Sequence, residues 1–523
     1  MEVNLVKNKQ SQDNSTCKNT GQKVNSTNQK RQYTRTTQAK KERQAHDDIQ
    51  ENGLKNLFAI IKRYAPTIAD MFSSEKAQKA DHRRRGGNFL YNTCYLLMMV
   101  MLMHLLSYSS MHSFQVGVNG QTAMQNLHHI VGEEVAVRSV SVETTLYGQT
   151  LNNFLSQFDA SFLDEVLWSI IRKLIRCKTF YPHRLLKHYW LIAIDGTQTY
   201  SGKRKLNEHC LFRTHKKGTD QESTEYYLYI LQAKLVLLGT EYCIPFFHEF
   251  VENNAIDKAD QQKKGAQSIK QDCEIKAFKR LAQRIRRTFP NLPICIVADA
   301  LYVTNPVIDI CKDHKFELIV RYKEGAYKEI KELFECARKS GGATRLADTD
   351  ETRDVIYANK LELAGSRFIS YIEATMLVYD PVPCKGKGRR PNKDSQQKWL
   401  SFAWISTLEM DEKSATDIVN AGRSRWNIEE SFLRAKHWTN DITHMCSWNM
   451  NAIKCHYAMT VIGEIFRIIM EMEQARKHDI KLPFQEINSE LQATIKRVKL
   501  RDDNFFDMTT WTPRTRSKKT PAA

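Results

Sequence analysis

The order of apolar and polar residues divides the chain into helical and mixed parts. Between about residues 50 and 185, apolar residues recur at three- and four-residue spacing, as in FLDEVLWSIIRKLIRCKTF, which predicts amphipathic helices. From about residue 188, short apolar runs such as YWLIAID and PICIVADA alternate with a helical pattern at 267–287. Strands alternating with helices predict an α/β core. From 411 to 500 the helical spacing returns.

These changes of pattern predict four regions. Residues 1–48 are polar and basic and predict a disordered arm, because they hold too little apolar surface to offset the entropy of ordering. Residues 49–185 predict a helical N-terminal domain. Residues 186–475 predict the α/β domain, with a strand-rich insertion at about 325–410, and residues 476–523 predict a C-terminal helical region and tail.

One apolar run, FLYNTCYLLMMVMLMHLL at 89–106, has a length near the lower limit for a membrane span. Asn92 and His104 lie within it, and no second hydrophobic segment follows. The run is therefore interpreted as a buried helix, and a peripheral or membrane role is the alternative.

Charge and cysteine usage narrow the class of protein. The 523 residues carry a formal charge of +19, with a pI of about 9.3. A surplus of this size favours a polyanionic partner, with nucleic acid first and an anionic membrane surface second. The 12 cysteines are scattered without a CxxC pair, which favours reduced cysteines in the cytosol. The polar N-terminus has no signal-peptide pattern.

Three acidic residues are candidates for chemistry. Asp195 and Asp299 each end an apolar run, although an ordinary turn or helix-capping aspartate is the commoner explanation for either one alone. The segment GRSRWNIEESFLRAKHW predicts a helix on which Arg425, Glu429 and Lys436 share one face. A salt-bridged surface helix is the alternative.

Carboxylates on two strands and a later helix suit metal-dependent phosphoryl chemistry. Mg²⁺ prefers hard oxygen ligands, and two ions can activate the attacking oxygen and stabilise the leaving one. Mg²⁺ is the expected cofactor, and Mn²⁺ is expected to substitute for it.

Four segments carry a resemblance to a known family. In chain order they are IDGTQTYSGKRKLNEHCL, KQDCEIKAFKRL, PICIVADALYV and GRSRWNIEESFLRAKHW. Together they resemble the catalytic domain of the insertion-sequence type-4 family of DDE transposases, over roughly residues 185–470. The resemblance implies an RNase H-like core with the first aspartate on the opening strand, the second after a later strand, and the glutamate on a helix.

The resemblance also assigns residues on that helix. The family signature is Tyr, two residues, Arg, three residues, Glu, six residues, Lys, and it matches Arg425, Glu429 and Lys436. This spacing selects Glu429 over Glu430 and gives Arg425 and Lys436 a role in phosphate contacts at the end of the element. Gly422 stands at the tyrosine position, which leaves a degenerate or inactive copy as an alternative.

Other polar and aromatic residues have weaker support. A loop suited to phosphate contacts, or equally to a solvated charge run, holds Lys385, Lys387, Arg389 and Arg390. Trp399 and Trp404 could stack on an extruded base, although buried strand aromatics are more common.

Two pairs of acid or metal-ligand candidates are assigned no site. Asp272 and Glu274 belong to the resembling segments, and helix packing is the favoured explanation for both. His209 and Cys210 have no partner pair at metal-ligand spacing, so no metal is assigned to them.

The predicted fold is thus α/β, with an RNase H-like mixed-sheet catalytic core preceded by a helical domain and followed by C-terminal helices. The predicted function is a DNA transposase that cuts the ends of an insertion sequence and joins them to target DNA. Its expected partners are the terminal inverted repeats of its own element and target DNA, and the protein is expected to act as a dimer on DNA. No membrane partner is expected, and the expected location is a bacterial-type cytoplasm, at the nucleoid. An RNase H-like nuclease and a catalytically inactive DNA-binding regulator are the alternatives.

Overall fold

The computed structural model describes residues 21–84, 91–132, 146–253, 271–323, 325, 327–380, 396–439 and 441–500. Its N-terminal part is helical. The helices are α1 (Gly21–Tyr64), α2 (Ile68–Ser73), α3 (Glu75–Ala80), α4 (Thr93–Leu105), α5 (Met111–Gly117), α6 (Gln121–Val131), α7 (Gly148–Ser156) and α8 (Ala160–Arg176).

A single mixed sheet follows. Its strands are β1 (Trp190–Gly202), β2 (Leu211–His215), β3 (Ser223–Val236), β4 (Cys243–Val251), β5 (Ile294–Ala298), β6 (Phe316–Tyr322), β7 (Ala343–Arg345), β8 (Thr352–Leu363), β9 (Arg367–Asp380) and β10 (Gln396–Ser406). The spatial order is β2-β3-β1-β5-β6-β10-β9-β8-β7, and β4 also pairs with β3. β1, β5 and β6 run parallel, and the remaining pairs are antiparallel.

This arrangement confirms the predicted α/β class with an RNase H-like core. The strand-rich segment extends the same sheet, because β10 pairs with β6 and continues through β9 and β8 to β7. The bounds of the four regions stay predictions.

Alternation along β1 explains why helices cover both faces of the sheet. Ile192 and Ile194 belong to one buried cluster, and Leu191 and Ala193 belong to the other. Successive side chains of a strand point to opposite faces, so a strand that is apolar at every position needs cover on both. The helices of this part are α9 (Glu274–Thr288), α10 (Asn305–Asp313), α11 (Lys328–Lys339), α12 (Ser414–Ser424) and α13 (Trp426–His437).

The long helix α14 (Met450–His478) connects the N-terminal helices to the sheet. It packs against α1, α4, α7, α8 and β4. A buried ion pair between Lys234 of β3 and Glu464 of α14, with an N–O distance of 2.7 Å, joins it to the sheet. The last helix, α15 (Phe484–Arg497), packs on α1 and α6.

The helix α1 includes residues 21–48 of the predicted arm. Ala45 and Ile49 are buried, and Asp48 pairs with Lys477 of α14 at 2.7 Å. The partner lies 429 residues away in the sequence, so the polar local composition gives no sign of this contact. Residues 1–20 of the predicted arm lie outside the described residues.

The Met-rich run forms α4, and all 13 of its residues are buried. A helix that is apolar on every side requires cover all round. Here it packs against α14, α2, α6, α7 and α3. His104 lies fully buried, with its ring centroid 4.5 Å from that of His456. No helix in the described parts of the chain is long and apolar enough to span a bilayer.

Candidate active site

The site begins with Asp195, in the middle of β1. Its carboxylate is 22% exposed, and Oδ1 accepts a hydrogen bond from the Gly196 N–H at 2.9 Å. Burial raises the pKa of Asp195 to about 6, and the nearby charges of Glu274 and Asp299 act in the same direction. The Gly196 hydrogen bond and the Arg425 charge oppose that rise. The structure therefore keeps an acid here in a low-dielectric place beside other acids.

Asp299 follows directly after β5, the strand next to β1. Ala193 is paired with Val297 in the parallel register, so Asp195 and Asp299 each lie two residues beyond a paired position. Neighbouring strands are about 4.8 Å apart, so the two aspartates lie side by side at the sheet edge where β5 ends. Asp299 also caps a short 3-10 helix, since its Oδ1 accepts from the Leu301 N–H at 2.9 Å. Helix capping and proximity to Asp195 therefore occur together.

Glu429 is presented by the first turn of α13. Arg425, which precedes that helix, lies between two acids: its guanidinium is 2.5 Å from Glu429 Oε1 and 3.6 Å from Asp195 Oδ2. Arg425 is only 14% exposed. The guanidinium therefore couples the glutamate helix to β1, and its contact with Glu429 is the one that the four-residue spacing predicted.

Glu430 points elsewhere. It lines a cavity with Arg434 and Glu471, and its charge acts on buried Cys243 of β4. Of the two glutamates, Glu429 is the one that Arg425 links to Asp195.

Cations surround the same edge. Burial lowers the pKa of Lys436, and the Asp195 charge opposes this, so Lys436 lies within electrostatic reach of Asp195. The guanidinium carbons of Arg321 and Arg423 lie 4.4 Å and 4.7 Å from the ring centroid of Phe402. Burial, followed by the charges of Arg423 and Arg425, lowers the pKa of Arg321. These cations repel one another, which suits an anionic ligand.

Gly422 has a steric explanation. A Cβ added there would lie 2.4 Å from Nε1 of Trp404, a tryptophan that is 1% exposed. The indole thus fills the space beside the position where the signature has tyrosine. Trp404 is a buried strand aromatic stacked on Phe402, with centroids 5.9 Å apart. Its Nε1 is buried without a hydrogen-bond partner among the described residues.

The acid that the sequence analysis left with a packing role lies in the site. Glu274, the first residue of α9, accepts hydrogen bonds from the Tyr229 and Tyr302 hydroxyls at 3.0 Å and 2.8 Å. Burial raises the pKa of Glu274, those two hydrogen bonds lower it, and the charge of Asp299 raises it. Asp272 pairs with Arg280 at 2.7 Å, which agrees with a packing role. The KQDCE segment was the signal in the sequence, but its neighbours in space could not be read from it.

Among the described residues, Trp399, His209 and Cys210 have partners away from the three acids. Trp399 stacks with Arg353, whose guanidinium carbon is 4.1 Å from the ring centroid. His209 lies 3.5 Å from Glu252, and Cys210 is buried. The four cationic residues of the predicted loop lie outside the described residues; they are Lys385, Lys387, Arg389 and Arg390. Across the described ranges, no group of three or more His, Cys, Asp or Glu side chains is arranged to hold a metal ion.

Comparison with known families identifies the domain. Residues 270–462 match the family model described as the transposase DDE domain. The match contains Asp299 and Glu429 and begins after Asp195. This part of the chain is thus similar to a transposase DDE domain, a type of domain that acts on phosphodiester bonds. No curated protein matches the chain.

Proposed function

We propose, from the transposase DDE domain at 270–462, that the protein is a DNA transposase that cuts at the ends of a mobile element and joins them to target DNA. The observation that carries the proposal is the geometry of Arg425, which contacts both Asp195 and Glu429. It brings an acid from outside the matched segment into contact with the matched glutamate helix.

Asp195, Asp299 and Glu429 are the proposed metal-holding residues. Their carboxylate oxygens are the donors that Mg²⁺ prefers, with Mn²⁺ as a substitute. The raised pKa of Asp195, to which Glu274 and Asp299 contribute, marks a cluster of like charges that a divalent cation would neutralise. The donor chemistry therefore fits Mg²⁺. When bound, the ions would supply Lewis-acid activation of the attacking oxygen and stabilisation of the leaving oxygen.

The residues of the chain supply positioning and charge. Arg425 contacts the carboxylates of both Glu429 and Asp195 and is proposed as a phosphate contact beside them. Lys436 is proposed as a second phosphate contact, because it lies near Asp195. The two reactions would share this edge: hydrolysis of a phosphodiester at the element's end, and attack of the freed 3′-hydroxyl on target DNA.

DNA is the proposed partner, as terminal inverted repeats and as target. The formal charge of +19 favours it. The helical region at 49–185 is proposed to help recognise the ends, and the loop cations Lys385, Lys387, Arg389 and Arg390 to contact phosphates. Synapsis of two ends implies a dimer on DNA, at the nucleoid of a bacterial-type cytoplasm.

The test is strand cleavage and joining by the full chain. Labelled DNA carrying the sequences that flank the gene is incubated with Mg²⁺ or Mn²⁺ and with wild type, Asp195→Asn, Asp299→Asn or Glu429→Gln. We expect nicking at the element's end and strand transfer, both lost in all three variants. Glu430→Gln is the matched control, one position along α13 and facing a different cavity, and it is expected to keep wild-type rates.

Other outcomes would replace the proposal. Metal-dependent cleavage without joining would indicate an RNase H-like nuclease. Tight binding of element ends without any metal-dependent chemistry would indicate an inactive regulator, and the assignments of all three acids would be withdrawn. Lys436→Gln is expected to weaken DNA binding and to reduce the salt slope by about one, because one phosphate contact is lost.

A further inference from the structure

We propose that Glu274 is a positioning residue that fixes the two segments carrying Asp195 and Asp299 relative to each other through the hydroxyls of Tyr229 and Tyr302. The inference rests on the proposed function, because it assigns a role in the same site. Glu274 lies outside the carboxylate triad and within the segment matched to the transposase DDE domain.

The two carboxylate oxygens of Glu274 have separate partners. Oε2 accepts from the Tyr229 hydroxyl at 3.0 Å, and Oε1 accepts from the Tyr302 hydroxyl at 2.8 Å. Tyr229 belongs to β3, and Tyr302 belongs to the 3-10 helix that follows Asp299. Hydrogen bonds to an ionised acceptor are about twice as strong as neutral ones. One carboxylate thus connects β3 with the turn that follows β5.

The Tyr229 branch ends against the backbone beside Asp195. A Cβ added at Gly196 would lie 2.0 Å from the Tyr229 hydroxyl oxygen. Only glycine leaves room for the phenol there, and the Gly196 N–H is the group that donates to Asp195 Oδ1 at 2.9 Å. Displacement of the phenol would therefore displace the peptide that orients the Asp195 carboxylate.

The Tyr302 branch ends at Asp299. Tyr302 is 1% exposed, and its ring packs edge-on against Phe278 of α9 at a centroid distance of 5.6 Å. Its backbone N–H donates to the Asp299 carbonyl at 3.1 Å. The ring is held on one side by α9, and its hydroxyl is held by the first residue of the same helix. Glu274 thereby fixes the turn on which Asp299 is presented.

A purely structural glutamate at a helix start would act on folding alone. A positioning role predicts an effect on metal affinity and on the rate of the chemical step, since residues that orient metal ligands typically contribute 10- to 100-fold to either. Each oxygen of Glu274 is engaged by a phenol, so its positioning action passes through Tyr229 and Tyr302. Its charge also acts on Asp195 directly, and the two tyrosine variants keep that charge, so they isolate the positioning action.

The experiment compares the full-length wild type with Glu274→Gln, Tyr229→Phe, Tyr302→Phe and the combination of Glu274→Gln with Tyr302→Phe. The matched control is Glu329→Gln, an exposed glutamate in the first turn of α11. Mn²⁺ binding is measured by electron paramagnetic resonance, and single-turnover cleavage is measured with saturating element-end DNA. Thermal unfolding is followed in parallel.

We expect Mn²⁺ affinity and cleavage rate to fall about 10- to 100-fold in Glu274→Gln and about 10-fold in each tyrosine variant. The affinity for DNA should stay within about twofold of wild type. Adding Tyr302→Phe to Glu274→Gln should cost little more than Glu274→Gln alone, because both remove the same connection. Glu329→Gln should match wild type in all three measurements.

Three results would overturn the inference. The first is wild-type Mn²⁺ affinity in Glu274→Gln. The second is a loss that follows the thermal unfolding midpoint in proportion. The third is a total loss of Mn²⁺ binding in Glu274→Gln with wild-type behaviour in both tyrosine variants, which would make Glu274 a ligand. A wild type that binds Mn²⁺ but cuts no DNA would refute the proposed function. The Mn²⁺ affinities of the variants would still test the positioning role of Glu274. A wild type that binds no Mn²⁺ would refute both.

Discussion

Asp195→Asn is expected to abolish catalysis and to stabilise the metal-free protein. The folded protein raises the pKa of Asp195 from 3.8 to about 6. A group whose pKa is raised on folding contributes stability that is fully present below 3.8 and is lost as pH rises through about 6. Above that window the ionised carboxylate destabilises the fold, whereas asparagine does not titrate.

The size of this destabilisation follows from the difference in the pKa of Asp195 between the folded and unfolded protein. Each tenfold difference in proton affinity corresponds to about 1.4 kcal/mol, so ionised Asp195 costs the fold about 3 kcal/mol at pH 8. The carboxylate is 22% exposed, and solvent screening reduces the figure to about 2 kcal/mol. Asparagine keeps an oxygen to accept from the Gly196 N–H. At pH 5 the wild-type carboxyl is largely protonated, and the advantage of Asp195→Asn should shrink to about 1 kcal/mol.

The assay is urea unfolding followed by tryptophan fluorescence in a chelating buffer at pH 8 and pH 5. Asp350→Asn, at an exposed loop position, is the control and should lie within about 0.5 kcal/mol of wild type. Added Mg²⁺ should stabilise wild type more than Asp195→Asn, because only the former keeps all proposed ligands. A variant less stable than wild type at pH 8, or one whose advantage does not depend on pH, would refute the electrostatic reasoning.

Two further substitutions test the surroundings of the site. Gly422→Ala should lower the free energy of unfolding by about 1–3 kcal/mol, because its Cβ would lie 2.4 Å from the buried Trp404 indole; an unchanged thermal unfolding midpoint would contradict this. Lys234→Met should cost about 3–5 kcal/mol in urea unfolding, since it leaves Glu464 buried without its cation at 2.7 Å. Adding Glu464→Leu should recover most of that loss, and failure to recover would show that the ion pair is not the cause.

The parts of the site that depend on spacing along one helix were predictable. Arg425, Glu429 and Lys436 share a helix face by the geometry of α-helices alone, and the 2.5 Å contact between Arg425 and Glu429 follows from four-residue spacing. The contact of Arg425 with Asp195 joins residues 230 positions apart in the sequence. Only the resemblance to a family, and not the local pattern, assigned these two residues to one site.

The parts that depend on packing between distant segments were not predictable. Glu274 begins an amphipathic helix whose local sequence is explained by packing, and its phenol partners come from β3 and from the turn after β5. In the sequence, Gly422 is only a missing tyrosine of the signature. In the structure, Trp404 of β10 occupies the adjoining space. The polar sequence around Asp48 likewise gives no local sign of its pairing with Lys477 of α14.

The sheet shows the same division. The apolar runs of β1 and β5 predicted buried strands, because continuous apolar runs of this length fit a sheet covered on both faces. The strand order, and the extension of the sheet through β10, depend on pairings between residues far apart in sequence, which no local period encodes.

The position of α14 has a consequence for synthesis on the ribosome. The N-terminal helices reach the ribosome exit first, yet α14 and α15 pack against them. Polar contacts join the same helices: Asp48 pairs with Lys477, and Asn126 donates a hydrogen bond to the Ile495 carbonyl. α4, which is apolar on every side, emerges more than 300 residues before α14, which covers part of its surface. A nascent chain therefore exposes this surface through most of translation, and a polypeptide stopped before residue 450 keeps an unfinished helical bundle that chaperones and proteases would recognise.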